Sequence, residues 1–143
     1  MLDFKDPKFA KEYNRLNFQL LSQILQEKLS PLLKKNAVLE LSGGEALFSR
    51  AYFYNQFSRI EVLDLIDHSA TIFNAMRPTE ITKTIIFNQC PIGDFNTLDR
   101  FTLIYGGYSI ALLESKKVRS LLATAWNSLE TGGYLVFKEG VID

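Results

Sequence analysis

The sequence predicts an α/β protein, a three-layer fold built on a mostly parallel sheet of about five strands. Three observations predict it. Short apolar runs alternate with stretches of helical period, and such alternation implies parallel pairing through right-handed crossovers. The runs are continuously apolar, as expected where both faces of a sheet are covered. Turn residues close them, with Ser42-Gly43-Gly44, Gly106-Gly107 and Thr131-Gly132-Gly133 the clearest cases.

Residues 7 to about 29 read as a helix, with Phe9, Tyr13, Leu16, Leu20, Ile24 and Leu25 at three- and four-residue spacing. Asp6-Pro7 suits its start, Asp as cap and Pro in the first turn. Ser30-Pro31 interrupts the pattern, and a short piece over 32–35 ends at Asn36. Ala37 to Leu41 is the first strand. Residues 46 to about 57 are apolar enough for a packed helix. Arg59 to Ile66 is the second strand, and Ser69 to Met76 a short helix closed by Arg77-Pro78. Lys83 to Phe87 is a third strand rich in β-branched residues, and Phe101 to Tyr105 a fourth. Ser115 to about Leu129 is a helix with Val118, Leu121, Leu122, Ala125 and Trp126 on one face. Tyr134 to Phe137 is the fifth strand. The 143 residues read as a single domain, a helical segment over 1–35 followed by the α/β core over 36–143.

Composition narrows the function classes. Apolar residues make up 47% of the chain, enough for a core. Sixteen basic and sixteen acidic side chains cancel, so no cationic excess supports sequence-independent nucleic-acid binding. Lys34, Lys35, Lys116, Lys117 and Arg119 are the residues from which a local basic patch would be built, and a solvated helix face explains them equally. One cysteine, Cys90, cannot form an intrachain disulfide. One histidine, His68, cannot build a His-rich metal site, and no metal is expected. The N-terminus lacks the apolar core of a signal peptide, and no run approaches the roughly 20 apolar residues of a membrane span. An intracellular location, cytoplasmic or nuclear, is the expectation.

In sheets of this kind ligands bind at the carboxyl ends of the strands. The first such loop is Glu40-Leu41-Ser42-Gly43-Gly44-Glu45-Ala46, where glycine permits close backbone approach. It lacks the G-x-G-x-x-G dinucleotide pattern, which sets a nucleotide-binding oxidoreductase aside. A plain strand-to-helix turn accounts for Gly43-Gly44 as well as a ligand loop does. The second strand runs into Asp67-His68-Ser69. A carboxylate there can accept hydrogen bonds from both hydroxyls of a ribose, or it can cap the helix that starts at Ser69. Asp64 competes for the ribose role, although alternation places it within the strand. After the third strand comes Asn88 to Phe95, where Asp94 can reach an adenine amino group with Ile92 against the ring, or lie in an ordinary loop. Tyr105 and Tyr108 follow the fourth strand, where packing at the sheet edge is the competing explanation.

These positions resemble the class I S-adenosylmethionine-dependent methyltransferases over about residues 37 to 140. The most typical stretch, Ser128 to Glu139, is similar to the family's L-x-P-G-G-x-L-V, with Thr131 in place of Pro. The segment order also looks like that of the protein N-terminal methyltransferases. The resemblance implies S-adenosylmethionine or S-adenosylhomocysteine as ligand. It implies cofactor contacts from Glu40, Ser42, Gly43, Gly44, Asp67, His68, Ile92, Asp94 and Tyr105, and an amine on a protein or small molecule as methyl acceptor. Asp94, Tyr105, Tyr108 and Glu139 are then the candidates for holding that amine deprotonated. The departures are specific. The acid-x-G-x-G-x-G loop keeps Glu40 and Gly44 but has Ser42 and Ala46 at the outer glycine positions. Leu47 and Leu112 replace an arginine and a histidine of the closer family. The chain as given also ends just past the fifth strand, where the family continues with a helix and two further strands. Two expectations follow: a non-catalytic relative serving as a structural or regulatory subunit is the alternative to an enzyme, and an apolar fifth strand at the edge invites a second copy or a partner chain.

Overall fold

The structure, a computed structural model, describes residues 7–24, 27, 33–43, 46, 49, 53–67, 69–71, 85–96, 99–107, 110 and 113–138. The chain divides into two compact units, 1–32 and 33–143. The first contains helix α1 (Pro7–Ile24). On it Arg15 and Glu12 form an exposed ion pair at 2.5 Å, and Leu16, Leu20 and Ile24 are exposed along one stripe. Among the described residues no helix is long and apolar enough to cross a membrane.

The second unit is built on strands β1 (Ala37–Leu41), β2 (Arg59–Asp64), β3 (Ile85–Gln89), β4 (Phe101–Gly107) and β5 (Leu129–Lys138), with helix α2 (Ser115–Asn127) between the last two. The strands form one sheet in the order β3-β2-β1-β4-β5, and every pair is parallel. The order reverses at β1: the chain steps outward to β2 and β3, then returns to β4 on the other side. That is the switch point at which such sheets open a crevice at their carboxyl edge.

Burial follows the strand order. All five residues of β1 are buried, as are the first six of β4. Strand alternation divides their side chains between two layers. On one face Ala37, Leu39, Leu41, Leu63 and Ile104 pack with Leu121 and Ala125 of α2 and with Phe95. On the other face Phe53 and Phe57, from the connection between β1 and β2, meet edge to face with centroids 5.6 Å apart. Phe53 also meets the ring of Tyr105 at 6.2 Å.

Several element ends differ from the sequence expectation. β2 stops at Asp64, two residues early, and Leu65 and Ile66 stand exposed beyond it. β3 runs two residues later than its β-branched core suggests, because Asn88 and Gln89 continue the ladder with Leu63 and Asp64. β4 continues through Gly106 and Gly107, which pair with Phe137 and Lys138. Residues 53–55 form a short 3-10 turn within the expected helix 46–57. α2 ends at Asn127, where the Ser128 N–H donates to the carbonyls of Thr124 and Ala125.

β5 starts at Leu129 and includes the expected turn. Phe101 pairs with Leu129 but Leu103 pairs with Tyr134, so five residues of β5 pass two of β4. Gly132 takes φ +79°, and a Cβ at Gly133 would press on the carbonyls of Glu130 at 2.9 Å and Phe101 at 3.1 Å. The glycine pair is therefore a bulge device, required by backbone approach and left-handed φ.

The α2 layer gives a direct test of this packing. Leu121 is 1% exposed and its neighbour Leu122 is 38% exposed. Leu121→Ala should lower stability by about 2–5 kcal/mol, and Leu122→Ala should stay within about 0.5 kcal/mol, both read from urea unfolding midpoints.

Candidate functional site

Four chain segments end at the carboxyl edge of the sheet. The first follows β1. Glu40 is buried at 4% exposure, and its Oε2 accepts a 2.6 Å hydrogen bond from the Ser49 hydroxyl. An ionised carboxylate in that position requires such donors to offset lost hydration. The loop then turns through Ser42 at φ 53° and Ala46 at φ 58°, the left-handed region that glycine favours. Between them Gly43 donates its N–H to the Leu63 carbonyl at 3.3 Å, and Ala46 donates to the Gly43 carbonyl at 2.8 Å. A Cβ at Gly43 would overlap Cγ1 of Val62 and stand 3.2 Å from the Glu40 side chain. The loop thus lies directly on β2 and on the buried acid. Gly44 falls outside the described residues, as do Leu47 and Leu112.

The second segment leaves β2. Asp64, half-buried at the strand end, accepts the N–H of Ile66 on Oδ1 at 3.1 Å. Its carbonyl accepts the N–H of Cys90 at 2.9 Å, joining the ends of β2 and β3. Asp67 is exposed, and its Oδ1 accepts both the N–H of Ser69 at 2.9 Å and the Ser69 hydroxyl at 2.6 Å. This is helix-capping geometry for the helical turn over 69–71. His68 lies outside the described residues.

The third segment follows β3. Ile92 to Asp94 form a 3-10 turn, and Ile92 packs toward the Leu39, Leu41 and Leu63 layer. The Asp94 carboxylate is ion-paired with Lys117 of α2, which pins this loop to the helix. The fourth segment follows β4. Tyr105 is 3% exposed, with its ring against Phe53 and its hydroxyl over Gly107. Tyr108 and Glu139 lie outside the described residues. The structure brings Glu40, Ser42, Gly43 and the Asp64 end of β2 together; Asp64 and Asp67 each accept a backbone N–H two residues on, Ile92 packs on the core layer and Asp94 pairs with Lys117. Among the described residues no group of three His, Cys, Asp or Glu is placed to hold a metal ion.

Two residues escaped the sequence reading. Ser49 is separated from Glu40 by nine positions and carries no periodic signal, so its contact needs the fold to be seen. Glu61 is an acid inside the apolar run Ile60-Glu61-Val62-Leu63, and that interruption was the available signal. It is 6% exposed, and its Oε1 accepts a 3.2 Å hydrogen bond from Asn88. Burial pushes its carboxyl above the usual carboxylate range. The Asn88 bond works against that shift, the nearby Asp99 carboxylate adds to it, and Arg59 opposes it.

No protein-family model matches the chain, and no curated protein matches it. Solved structures do. A S-adenosylmethionine-dependent methyltransferase from Clostridium acetobutylicum superposes with a TM-score of 0.75 at 20% identity, covering 91% of this chain and 55% of its own. The glycopeptide N-methyltransferase MtfA, complexed with S-adenosyl-L-methionine, gives 0.66 at 19% identity, with 85% and 52% covered. The fold is that of the S-adenosylmethionine-dependent methyltransferases. The N-methyltransferase NodS from Bradyrhizobium japonicum, in complex with S-adenosyl-L-homocysteine, matches likewise, at a TM-score of 0.65 and 24% identity, with 83% and 59% covered. The chain spans just over half the length of these structures. Within this methyltransferase fold, Ser42 and Ala46 occupy the outer positions of the glycine loop and keep glycine-like backbone angles without being glycine.

Two outcomes are expected from the loop and from Glu61. Ser42→Gly should stabilise the fold by about 0.5–1 kcal/mol by relieving left-handed strain, and Gly43→Ala should destabilise it by about 1–3 kcal/mol through overlap with Val62, both read from chemical denaturation. Because the folded-state pKa of Glu61 is raised above 4.5, the unfolded chain gives up this proton first, and stability falls as pH rises from about 4.5 through the folded-state value. Thermal melts across that range should show a smaller fall for Glu61→Gln.

Proposed function

We propose that the chain is a methyltransferase-like domain that binds S-adenosylmethionine at the carboxyl ends of β1 and β2. The observation that carries this reading is the left-handed backbone at Ser42 and Ala46. Each non-glycine residue on this path costs about 1–2 kcal/mol, and the path keeps the backbone close to β2 beneath it and open to a ligand at the carboxyl edge. Strain retained at a loop after the switch-point strand supports a ligand that approaches the backbone closely.

The residues present fit that ligand. Gly43 fastens the loop to Leu63, which leaves the half-buried Asp64 carboxylate beside it at the end of β2. We assign the ribose hydroxyls to Asp64, and to Asp67 the cap of the turn at Ser69. Glu40 stands behind the loop and shapes it through Ser49 rather than reaching outward. When bound, the cofactor supplies an already activated methyl group, so the protein's task is alignment of donor and acceptor rather than nucleophilic attack. We propose an amine as the acceptor, on a protein or a small molecule. The names of two fold neighbours, both N-methyltransferases, support that class.

One observation favours a second reading, a relative that binds without transferring a methyl group. Tyr105 is buried against Phe53, and Asp94 is in an exposed ion pair with Lys117, so each already has a partner within the chain.

Calorimetric titration with S-adenosylhomocysteine and S-adenosylmethionine tests the proposal. Binding at micromolar Kd, about −8 kcal/mol, is expected. Asp64→Asn should weaken it about tenfold or more, while Asp67→Asn should change it by less than about threefold. Absence of binding at millimolar ligand would overturn the cofactor reading, and the reverse order of the two variants would move the ribose role to Asp67.

A further inference from the structure

A cavity of about 410 Å³ lies over β2 and β3. Leu63, Phe95 and Phe101 form its apolar wall, and Glu61, Asn88 and Asp99 its polar one. It opens on the sheet face opposite Glu40 and Tyr105. Glu61 pairs in register with Leu39, whereas Glu40 pairs with Val62 and Tyr105, and adjacent strand residues point to opposite faces. It also extends back along the strands: Glu61 lies three residues before the end of β2, and Phe101 is the first residue of β4. The proposed cofactor loop approaches from the carboxyl ends.

Glu61 is the unusual group in it. The side chain is buried to 6% exposure, yet Oε2 has no hydrogen-bond donor among the described residues. Arg59 approaches Oε2 with Nε at 3.4 Å, but that Nε is itself without a hydrogen bond. The guanidinium spans both acids without that hydrogen bond: Nη1 lies 4.0 Å from Asp99 Oδ1, Nη2 donates to the Arg100 carbonyl at 2.7 Å, and its carbon lies 5.1 Å from the centre of the Phe101 ring. It therefore gives Glu61 an ion pair but leaves Oε2 without a hydrogen-bond donor. A buried carboxylate oxygen lacking a donor is costly, and the two acids of the described lining share the single guanidinium of Arg59 beside them. A cavity of this size and mixed polarity is suited to a small organic ligand.

We propose that this cavity binds a small organic amine, with the ammonium group donating to Glu61 Oε2 and facing Asp99, and the apolar body against Phe95 and Phe101. The ammonium supplies the donors that Oε2 lacks, and the aromatic walls favour a cation or an aryl group. The lining also takes in Gln89 and Cys90, which adjoin Asp64 at the carboxyl ends of β3 and β2, so the test contains no cofactor in the first arm and adds it in a second.

The experiment titrates the purified chain with phenethylamine, 2-phenylethanol and 3-phenylpropanoate, followed by ligand-observed NMR and calorimetry. The amine should bind at sub-millimolar to millimolar Kd, and the alcohol and the acid about tenfold or more weaker. Glu61→Gln should weaken the amine about tenfold and leave the alcohol unchanged. Asp99→Asn, at an exposed position, should weaken the amine by a smaller factor, and it serves if Glu61→Gln does not fold by circular dichroism. A second arm adds saturating S-adenosylhomocysteine, which should leave amine affinity unchanged. Equal affinity for amine and alcohol, no binding at about 10 mM, an amine affinity indifferent to both variants, or displacement by S-adenosylhomocysteine would overturn the proposal.

Discussion

The central strand β1 has a parallel neighbour on each side and a packed layer on each face, and its five residues are all buried. Glu40 is one of them, so the strand carries a carboxylate into an interior that does not solvate charge. Two features follow. Ser49 must return over the strand to donate to Oε2, and Gly43 must be small enough to let the loop close over both the acid and Val62. The loop at the sheet's switch point is therefore built from the inside, by what the buried acid requires.

That inside-out construction explains how the loop tolerates Ser42 and Ala46. The backbone path is fixed by hydrogen bonds at either end, Gly43 to Leu63 and Ala46 to Gly43. Side chains then fit the path at some cost, because about 1–2 kcal/mol of left-handed strain per residue is less than the loss of a sheet-anchored turn. Ser42 and Ala46 thus place side chains on a path that glycine would follow without strain. At β2, Asp64 and Asp67 look interchangeable in the sequence but differ in burial and in what they accept.

Most of the architecture was legible. The runs at 37–41, 59–66 and 101–105 are largely apolar and bounded by turn residues, as a covered parallel sheet requires, and the resemblance to a methyltransferase fold rested on the loops after them and on Ser128 to Glu139. What was not legible depended on distant partners. β3 gains Asn88 and Gln89 because Leu63 and Asp64 continue beside them. The split between Leu121 and Leu122 follows from where α2 lies on the sheet, since both fit the helical stripe. In the candidate site, the glycine loop was visible as composition, but its φ angles were not. Asp94 offered an adenine contact or an ordinary loop, and its ion pair with Lys117, 23 positions away, could be seen only in the fold. Glu61 interrupted an apolar run and signalled itself, yet only the cavity gives it a meaning.

The bulge at Thr131-Gly132-Gly133 has a bearing on how this fold can vary. Phe101 and Ile104 both belong to the α2-facing layer, although three positions separate them and strict alternation would place them on opposite faces. The register irregularity of the β4–β5 ladder falls in the same stretch, between Phe101 and Leu103. Chain length in this stretch is consequently decoupled from side-chain orientation in the rest of β5: a residue gained or lost there changes the size of a loop-out, whereas one gained or lost between Tyr134 and Lys138 would turn Leu135 and Phe137 away from the core. The glycine pair acts as an expansion joint, the place in the sheet where insertions and deletions can accumulate without disturbing the layers on either side.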